Sequence, residues 1–324
     1  MYVVTGGAGF IGSAIVAKLN QEGISDILVV DELGESDKWR NLSGLSYSDY
    51  LHKDVFLEGL KSGGLSGIEC IVHMGACSST TELNGDYLME NNYRYSKYLA
   101  EYALKQGLRF IYASSGATYG NGELGYSDQH DLIPALRPLN LYGYSKQLFD
   151  LWVLRNGFDS NFVGLKFFNV FGPHEYHKAN MRSMVLKAYQ QVKQKGFVRL
   201  FRSNSAEYKD GEQKRDFIYI KDCLEPIWWL INNKAVNGIF NLGTGFARSW
   251  LDLADAVFAA MGVDSKIEFV DMPKEIDLHY QNYTQADMRK LQATGCPLQF
   301  RPLEESVNDY VTNHLEAGKM WLFD

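Results

Sequence analysis

The chain has 324 residues, 46% of them hydrophobic and 22% charged, with a formal net charge of −7. That length holds one large α/β unit or two domains sharing a core, and the apolar share excludes global disorder. The acidic balance excludes a general nucleic-acid binder, which needs a positive field toward phosphate. No run of about 18 apolar residues is present, so no membrane span is expected. The four cysteines (Cys70, Cys77, Cys223, Cys296) form no Cys-x-x-Cys and no cysteine–histidine cluster. They are expected to be free thiols in a reducing compartment, with no metal site. The sequence starts directly on strand residues, without a basic and apolar leader, and the expected location is the cytoplasm.

Tyr2–Thr5 is the first predicted strand, and Ile11, Ile15 and Leu19 at helical spacing follow it, with a stop at Gly23. Between them lie glycines at 6, 7, 9 and 12. A dinucleotide-binding turn needs this order: glycine for the tight turn, for backbone approach to a pyrophosphate and for helix–strand packing. The pyrophosphate then meets a helix N-terminus carrying roughly half a positive charge. The next strand, Ile27–Val30, leads into Asp31, where a carboxylate can accept from an adenosine ribose and favour NAD. Lys38 and Arg40 follow closely and could hold a 2′-phosphate, so the residues alone leave NAD against NADP open.

Ile68–His73 is a strand, Tyr93–Leu104 a helix and Arg109–Ala113 a strand that ends on Ser114-Ser115. Hydroxyls there can bond a substrate oxygen, or simply cap a turn. Tyr142-Gly-Tyr-Ser-Lys146 begins the helical pattern that runs through Ser145–Leu154, and its Tyr and Lys are four apart on one face. A phenol titrates near 10 and a working base near 7; bridging ~3 units takes ~4 kcal/mol. A neighbouring ammonium and an oxidised nicotinamide could supply that. Phe162–Phe168 is a further strand. Alternating βα units imply a doubly wound parallel sheet, with ligands at the carboxyl ends of its strands.

After about residue 170 the rhythm changes. Met181–Lys195 is helical, and Ser203–Lys214 lacks an apolar face and reads as a loop, or less often as a lid. Phe217–Ile220 and Ile239–Leu242 are strands, and Trp250–Met261 is an amphipathic helix. Residues 1–170 are therefore expected to form a dinucleotide-binding domain, with segments around 214–245 returning to it. Residues 171–324 are expected to form a smaller, mainly substrate-binding α/β domain.

The glycine turn, the strand-end serines and Tyr-x-x-x-Lys, in that order, resemble the extended short-chain dehydrogenase/reductase superfamily, a Rossmann fold. More particular strings narrow the resemblance. They are Met74-Gly-Ala-Cys-Ser-Ser-Thr-Thr-Glu82, Glu90-Asn-Asn-Tyr93, Phe168-Asn-Val-Phe-Gly-Pro173, His177-Lys178, Lys214-Arg-Asp-Phe217 and Tyr283-Thr-Gln-Ala-Asp287. They are similar to the ADP-L-glycero-D-manno-heptose 6-epimerase family. The resemblance implies an NADP-dependent homo-oligomeric isomerase acting on ADP-heptose in lipopolysaccharide core precursor synthesis, with NAD the alternative cofactor. It implies cofactor contacts at Gly6, Gly9, Phe10, Ile11, Gly12, Asp31, Glu32, Lys38, Lys53, Met74, Gly75, Ala76, Cys77, Ser78, Asn91 and Val170. Ser115, Tyr142, Lys146 and Lys178 would be catalytic, the last three also touching cofactor. Asn169, Asn180, Lys187, Phe201, Arg202, Ser203, Asn204, Arg215 and Tyr280 would line the sugar-nucleotide site. Arg215 suits a diphosphate; its plainer role is an ion pair with Asp216 or Glu212.

This chain departs from the family pattern at Met74, Glu32, Gly116, Asn180 and Lys187. Glu32 adds a negative charge beside any 2′-phosphate. A 4,6-dehydratase should carry an acidic pair after the Ser/Thr, whereas Gly116-Ala117 follows Ser115. A 4-epimerase has no need of Lys178, and a nonenzymatic NADP-binding protein has no need of Tyr142 or Lys146.

Overall fold

The computed structural model describes residues 1–277, 280–319, 322 and 323. The strands are β1 (Tyr2–Thr5), β2 (Ile27–Asp31), β3 (Asp49–His52), β4 (Cys70–His73), β5 (Arg109–Ser115), β6 (Phe162–Phe167), β7 (Asn169–Phe171), β8 (Val198–Phe201), β9 (Lys214–Tyr219), β10 (Gly238–Leu242), β11 (Ala247–Ser249) and β12 (Ile267–Val270). The helices include α1 (Phe10–Gln21), α2 (Lys53–Ser62), the short α3 (Gly85–Leu88), α4 (Tyr95–Gln106), α5 (Leu141–Arg155), α6 (Met184–Lys195), α7 (Ile220–Asn232) and α8 (Trp250–Ala260).

Seven strands form one sheet in the order β10-β6-β5-β4-β1-β2-β3, every neighbouring pair parallel. Its inner strands β1, β2 and β4 read as apolar runs because both faces are covered, whereas the edge strand β3 is mixed and only partly buried. Successive side chains alternate between the two faces. Val3 joins Phe56, Leu99 and Phe149 under α2, α4 and α5, while Val4 joins Ile15, Val16 and Ile227 under α1 and α7. This is the doubly wound Rossmann arrangement. Its switch point lies between β1 and β4, where a crevice opens at the strands' carboxyl ends.

A three-stranded sheet, β11-β9-β7, and a parallel pair, β12-β8, accompany the main sheet. The predicted strand Phe162–Phe168 is split: Phe168 breaks the ladder, and Asn169–Phe171 pairs with β9 instead. Phe217–Ile220 is likewise displaced, because Ile220 already begins α7. The helix predicted over Met181–Lys195 begins only at Met184, where Ser183 caps it by accepting from Leu186 N–H at 3.3 Å. Among the described residues, no helix is long and apolar enough to cross a membrane, and no acidic, histidine or cysteine cluster could hold a metal. All four cysteines are free.

Candidate active site

The glycine turn is shaped by close backbone approach. Gly6 has φ +64°, and a Cβ there would lie 2.6 Å from the Gly75 nitrogen in the loop after β4. A Cβ on Gly12 would collide with the Gly6 carbonyl, so helix and turn touch without side chains between them. Gly9 enters α1 in extended conformation, with no side-chain cap and no acidic residue in the first turn. The first amides of α1 are thus left for an anion. Phe10 is buried and Ile11 half-buried beside them. A dinucleotide's pyrophosphate fits this cradle.

At the end of β2 the Asp31 carboxylate is almost buried. Its Oδ2 accepts from Ala8 N–H at 2.9 Å, and its Oδ1 from Glu32 N–H and Lys38 Nζ, both at 2.7 Å. Glu32 pairs with Lys53 at 2.7 Å, and Lys53 also donates to Asn91 Oδ1 at 2.9 Å. The Lys53 hydrogen bond holds the Glu32 carboxyl below its ordinary value. Arg40 turns away to Asp37 and the Trp39 ring.

The loop after β4 carries Met74, Gly75, Ala76 and Cys77, all half-buried, and the exposed Ser78. Asn92, absent from the sequence-derived site, holds this loop in place. Its side chain accepts from Cys77 N–H at 2.8 Å, donates to Cys77 C=O at 2.9 Å and donates to Ser145 Oγ at 3.0 Å. A π-helical stretch, Met89–Arg94, joins α3 to α4 and carries both Asn91 and Asn92. Below, His73 is fully enclosed, with Thr5 Oγ1 at 2.5 Å and Ser96 Oγ at 2.8 Å on its two ring nitrogens. Burial pushes its imidazole down to about 3, so it stays neutral.

Asn140 caps α5 by accepting from Gly143 N–H at 2.8 Å, which places Tyr142 in the first turn. Gly143 packs on the Ala117 carbonyl, where a Cβ would lie 2.8 Å away, and so draws Tyr142 to the end of β5. The two strand-end serines part company there. Ser114 points inward and donates to Asp150, while Ser115 hydrogen-bonds the Tyr142 phenol and also caps the following turn by accepting from Ala117 N–H. Lys146 donates to Ala113 C=O at 2.9 Å, and burial lowers its ammonium to about 8 despite Asp150 and Cys77 nearby. Burial also raises the Tyr142 phenol, which Ser115 only partly opposes.

Tyr142, Lys146 and Asp150 lie four apart on one face of α5. The Asp150 carboxylate accepts from Tyr112 at 3.0 Å, Ser114 at 2.7 Å and Lys166 at 2.6 Å, and neither Asp150 nor Lys166 is exposed at all. Lys166 also donates to Thr118 Oγ1 at 2.8 Å.

Lys178 sits in the loop from β7 to α6. Buried Glu175 clasps both ends of that loop, accepting from Gly172 N–H and from the backbone and hydroxyl of Ser183. The Lys178 ammonium lies 5.5 Å from the centre of the Phe10 ring, at the start of α1. Burial depresses it, with Glu175 opposing. Asn41, also missed in the sequence, donates to Ala8 C=O and His174 C=O, both at 3.0 Å, and lies 3.2 Å from His177 Nδ1. This ties the Lys178 loop to the glycine turn. Lys187 donates to Asn180 C=O at 2.7 Å; Asn169 and Asn180 are exposed and Val170 half-buried.

Arg215, on β9, is 5% exposed, and among the described residues no carboxylate pairs with it. Its guanidinium lies 4.9 Å from the Tyr280 ring and 5.6 Å from the Trp250 ring, and donates to Lys214 C=O. Trp250 Nε1 donates to Tyr280 OH at 2.7 Å, fixing the two rings. Asp216 does not pair with Arg215; it accepts from Thr244, Gly245 and Ala286. Phe201 and Ser203 are half-buried and Asn204 exposed, whereas Arg202 is drawn outward to Asp210 and Asp271.

A strand–glycine–helix cradle beside a Ser-Tyr-Lys cluster defines a nicotinamide-dependent enzyme acting on a hydroxyl. The chain belongs to the NAD dependent epimerase/dehydratase family, whose pattern matches residues 2–243, and its cofactor is a nicotinamide dinucleotide. It is similar to the ADP-L-glycero-D-manno-heptose-6-epimerase of Nitratidesulfovibrio vulgaris strain DP4, with 55% identity over 99% of this chain and 100% of that one. It is 45% identical to the enzyme of that name from Fusobacterium nucleatum, over 99% and 100% of the two chains. The Helicobacter pylori ADP-L-glycero-D-manno-heptose-6-epimerase structure superposes with a TM-score of 0.83 at 28% identity, covering 98% of this chain and 96% of that one.

Proposed function

We propose that the protein inverts carbon 6 of ADP-glycero-manno-heptose. The observation that carries the reading is Arg215: a buried guanidinium is not kept without a counter-charge, and a nucleotide diphosphate supplies one in two-pronged geometry. Trp250 and Tyr280 fix its orientation. The similarity to 6-epimerases along the whole chain selects the sugar.

A bound nicotinamide would supply reversible hydride transfer at carbon 6. Ser115 and Tyr142 hold the 6-oxygen, and Tyr142 moves its proton. Lys146 would hold the nicotinamide ribose and keeps positive charge beside the phenol. Carbon 6 is exocyclic, so the 6-ketone can turn about the C5–C6 bond and offer its other face. Its oxygen then occupies a second place, where Lys178 serves as the second acid/base group; burial, by depressing its ammonium, readies it to give up a proton. The glycine turn holds the cofactor through both half-reactions.

The test is incubation with ADP-D-glycero-D-manno-heptose, following carbon 6 by NMR. Formation of the L-glycero epimer is expected. No epimer with cofactor present would refute the reading, and a product lighter by one water would mark a dehydratase.

A further inference from the structure

The charges at the end of β2 cancel. Two carboxylates, Asp31 and Glu32, face two ammoniums, Lys38 and Lys53, in two ion pairs of 2.7 Å. Of the cations near a 2′-phosphate, Lys38 and Lys53 are spent on these pairs, and Arg40 is turned away to Asp37. An ionised carboxylate has about four acceptor positions. Asp31 uses three, on Ala8 N–H, Glu32 N–H and Lys38, and keeps one on Oδ2. A ribose hydroxyl can donate there; a phosphate dianion cannot, and is repelled. A dinucleotide fits the cradle, whereas an added 2′-phosphate would have to break both pairs and leave Asp31 and Glu32 uncompensated beside it.

We propose that Glu32, by neutralising Lys53, is a specificity-determining residue of this cofactor site, and that the chain takes NAD at least as readily as NADP. This rests on the reading that the site holds a nicotinamide dinucleotide. Glu32 lies at the rim, with its side chain about half exposed, so its replacement leaves the core untouched. In a Glu32→Asn variant, Lys53 is free to meet a phosphate, and one repelling charge is gone.

The protein is incubated with excess equimolar NAD⁺ and NADP⁺ until the bound ratio is constant. It is then freed of unbound nucleotide by gel filtration and denatured, and both nucleotides are quantified by mass spectrometry. The wild type is expected to carry NAD at or above parity, and Glu32→Asn to shift the ratio about tenfold toward NADP. A wild type loaded overwhelmingly with NADP overturns the proposal, as does a variant whose ratio stays within about twofold of the wild type. If neither nucleotide is retained, the cofactor reading beneath the proposal falls with it.

Discussion

Replacing Asp150 by Asn keeps the shape of the network beneath the active site and removes one charge. Lys166 then stands fully buried, with the Thr118 hydroxyl and the Tyr119 ring face as its remaining partners. Breaking a buried pair from one side costs about 3–5 kcal/mol, because the other charge is left uncompensated. Tyr112 and Ser114 also lose an ionic acceptor, a change of about 1 kcal/mol each. Against a total stability of about 5–15 kcal/mol, the variant should be marginal. The double variant Asp150→Asn/Lys166→Met has no orphaned charge and should recover at least half of the loss. Urea unfolding followed by circular dichroism, with unchanged slope, reads both values. The same substitution removes the carboxylate that opposes the depression of Lys146. Lys146 should then lose its proton below its present value of about 8, and the alkaline limb of the activity profile should move toward lower pH. A single variant losing under about 1 kcal/mol, or a double variant as weak as the single, would refute the assignment of an uncompensated buried charge.

Tyr142→Phe and Lys178→Met should each lower turnover by about 10²–10⁴ while the cofactor stays bound; a near-normal rate in either removes that residue from the mechanism. Arg215→Met should weaken nucleotide-sugar binding by about 10–100-fold, measured by calorimetry, with cofactor retention unaltered. His73 titrates near 3 when folded and near 6.5 when unfolded. Between these values the unfolded chain binds the extra proton, so stability falls as pH drops through that window, by up to about 5 kcal/mol. His73→Gln, compared with wild type in urea melts at pH 7 and pH 5, should show a smaller loss on acidification.

The cofactor side of the molecule was legible in the sequence because its elements are local. A strand, four glycines and a helix lie within two dozen residues, and Tyr142 and Lys146 need only one helical turn. Period and glycine placement therefore announce them. The short or mixed strands were not legible: β3 (Asp-Tyr-Leu-His) sits at the edge of the sheet, and β7, β11 and β12 are three or four residues long. The supports of the site were also hidden. Asn41, Asn92, Asp150 and Lys166 gain their meaning from partners far away in the chain, and no spacing rule brings them together. The Arg215 pocket is assembled from residues 35 and 65 positions apart, and that no carboxylate among the described residues pairs with it is visible only in three dimensions. The residues alone allow Arg215 two roles; with Asp216 committed to Thr244, Gly245 and Ala286, and no carboxylate among the described residues paired with Arg215, the ion-pair role is removed.

The addition of β10 beside β6 has a consequence for synthesis on the ribosome. β6 is complete at Phe167, yet its outer neighbour ends at Leu242, 75 residues later. At ordinary elongation rates that interval lasts several seconds. Throughout it, the nascent chain already carries the glycine turn, Tyr142 and Lys146, but shows an unpaired, apolar parallel edge. A chain halted in that interval therefore presents a template for pairing with its neighbours on the same message.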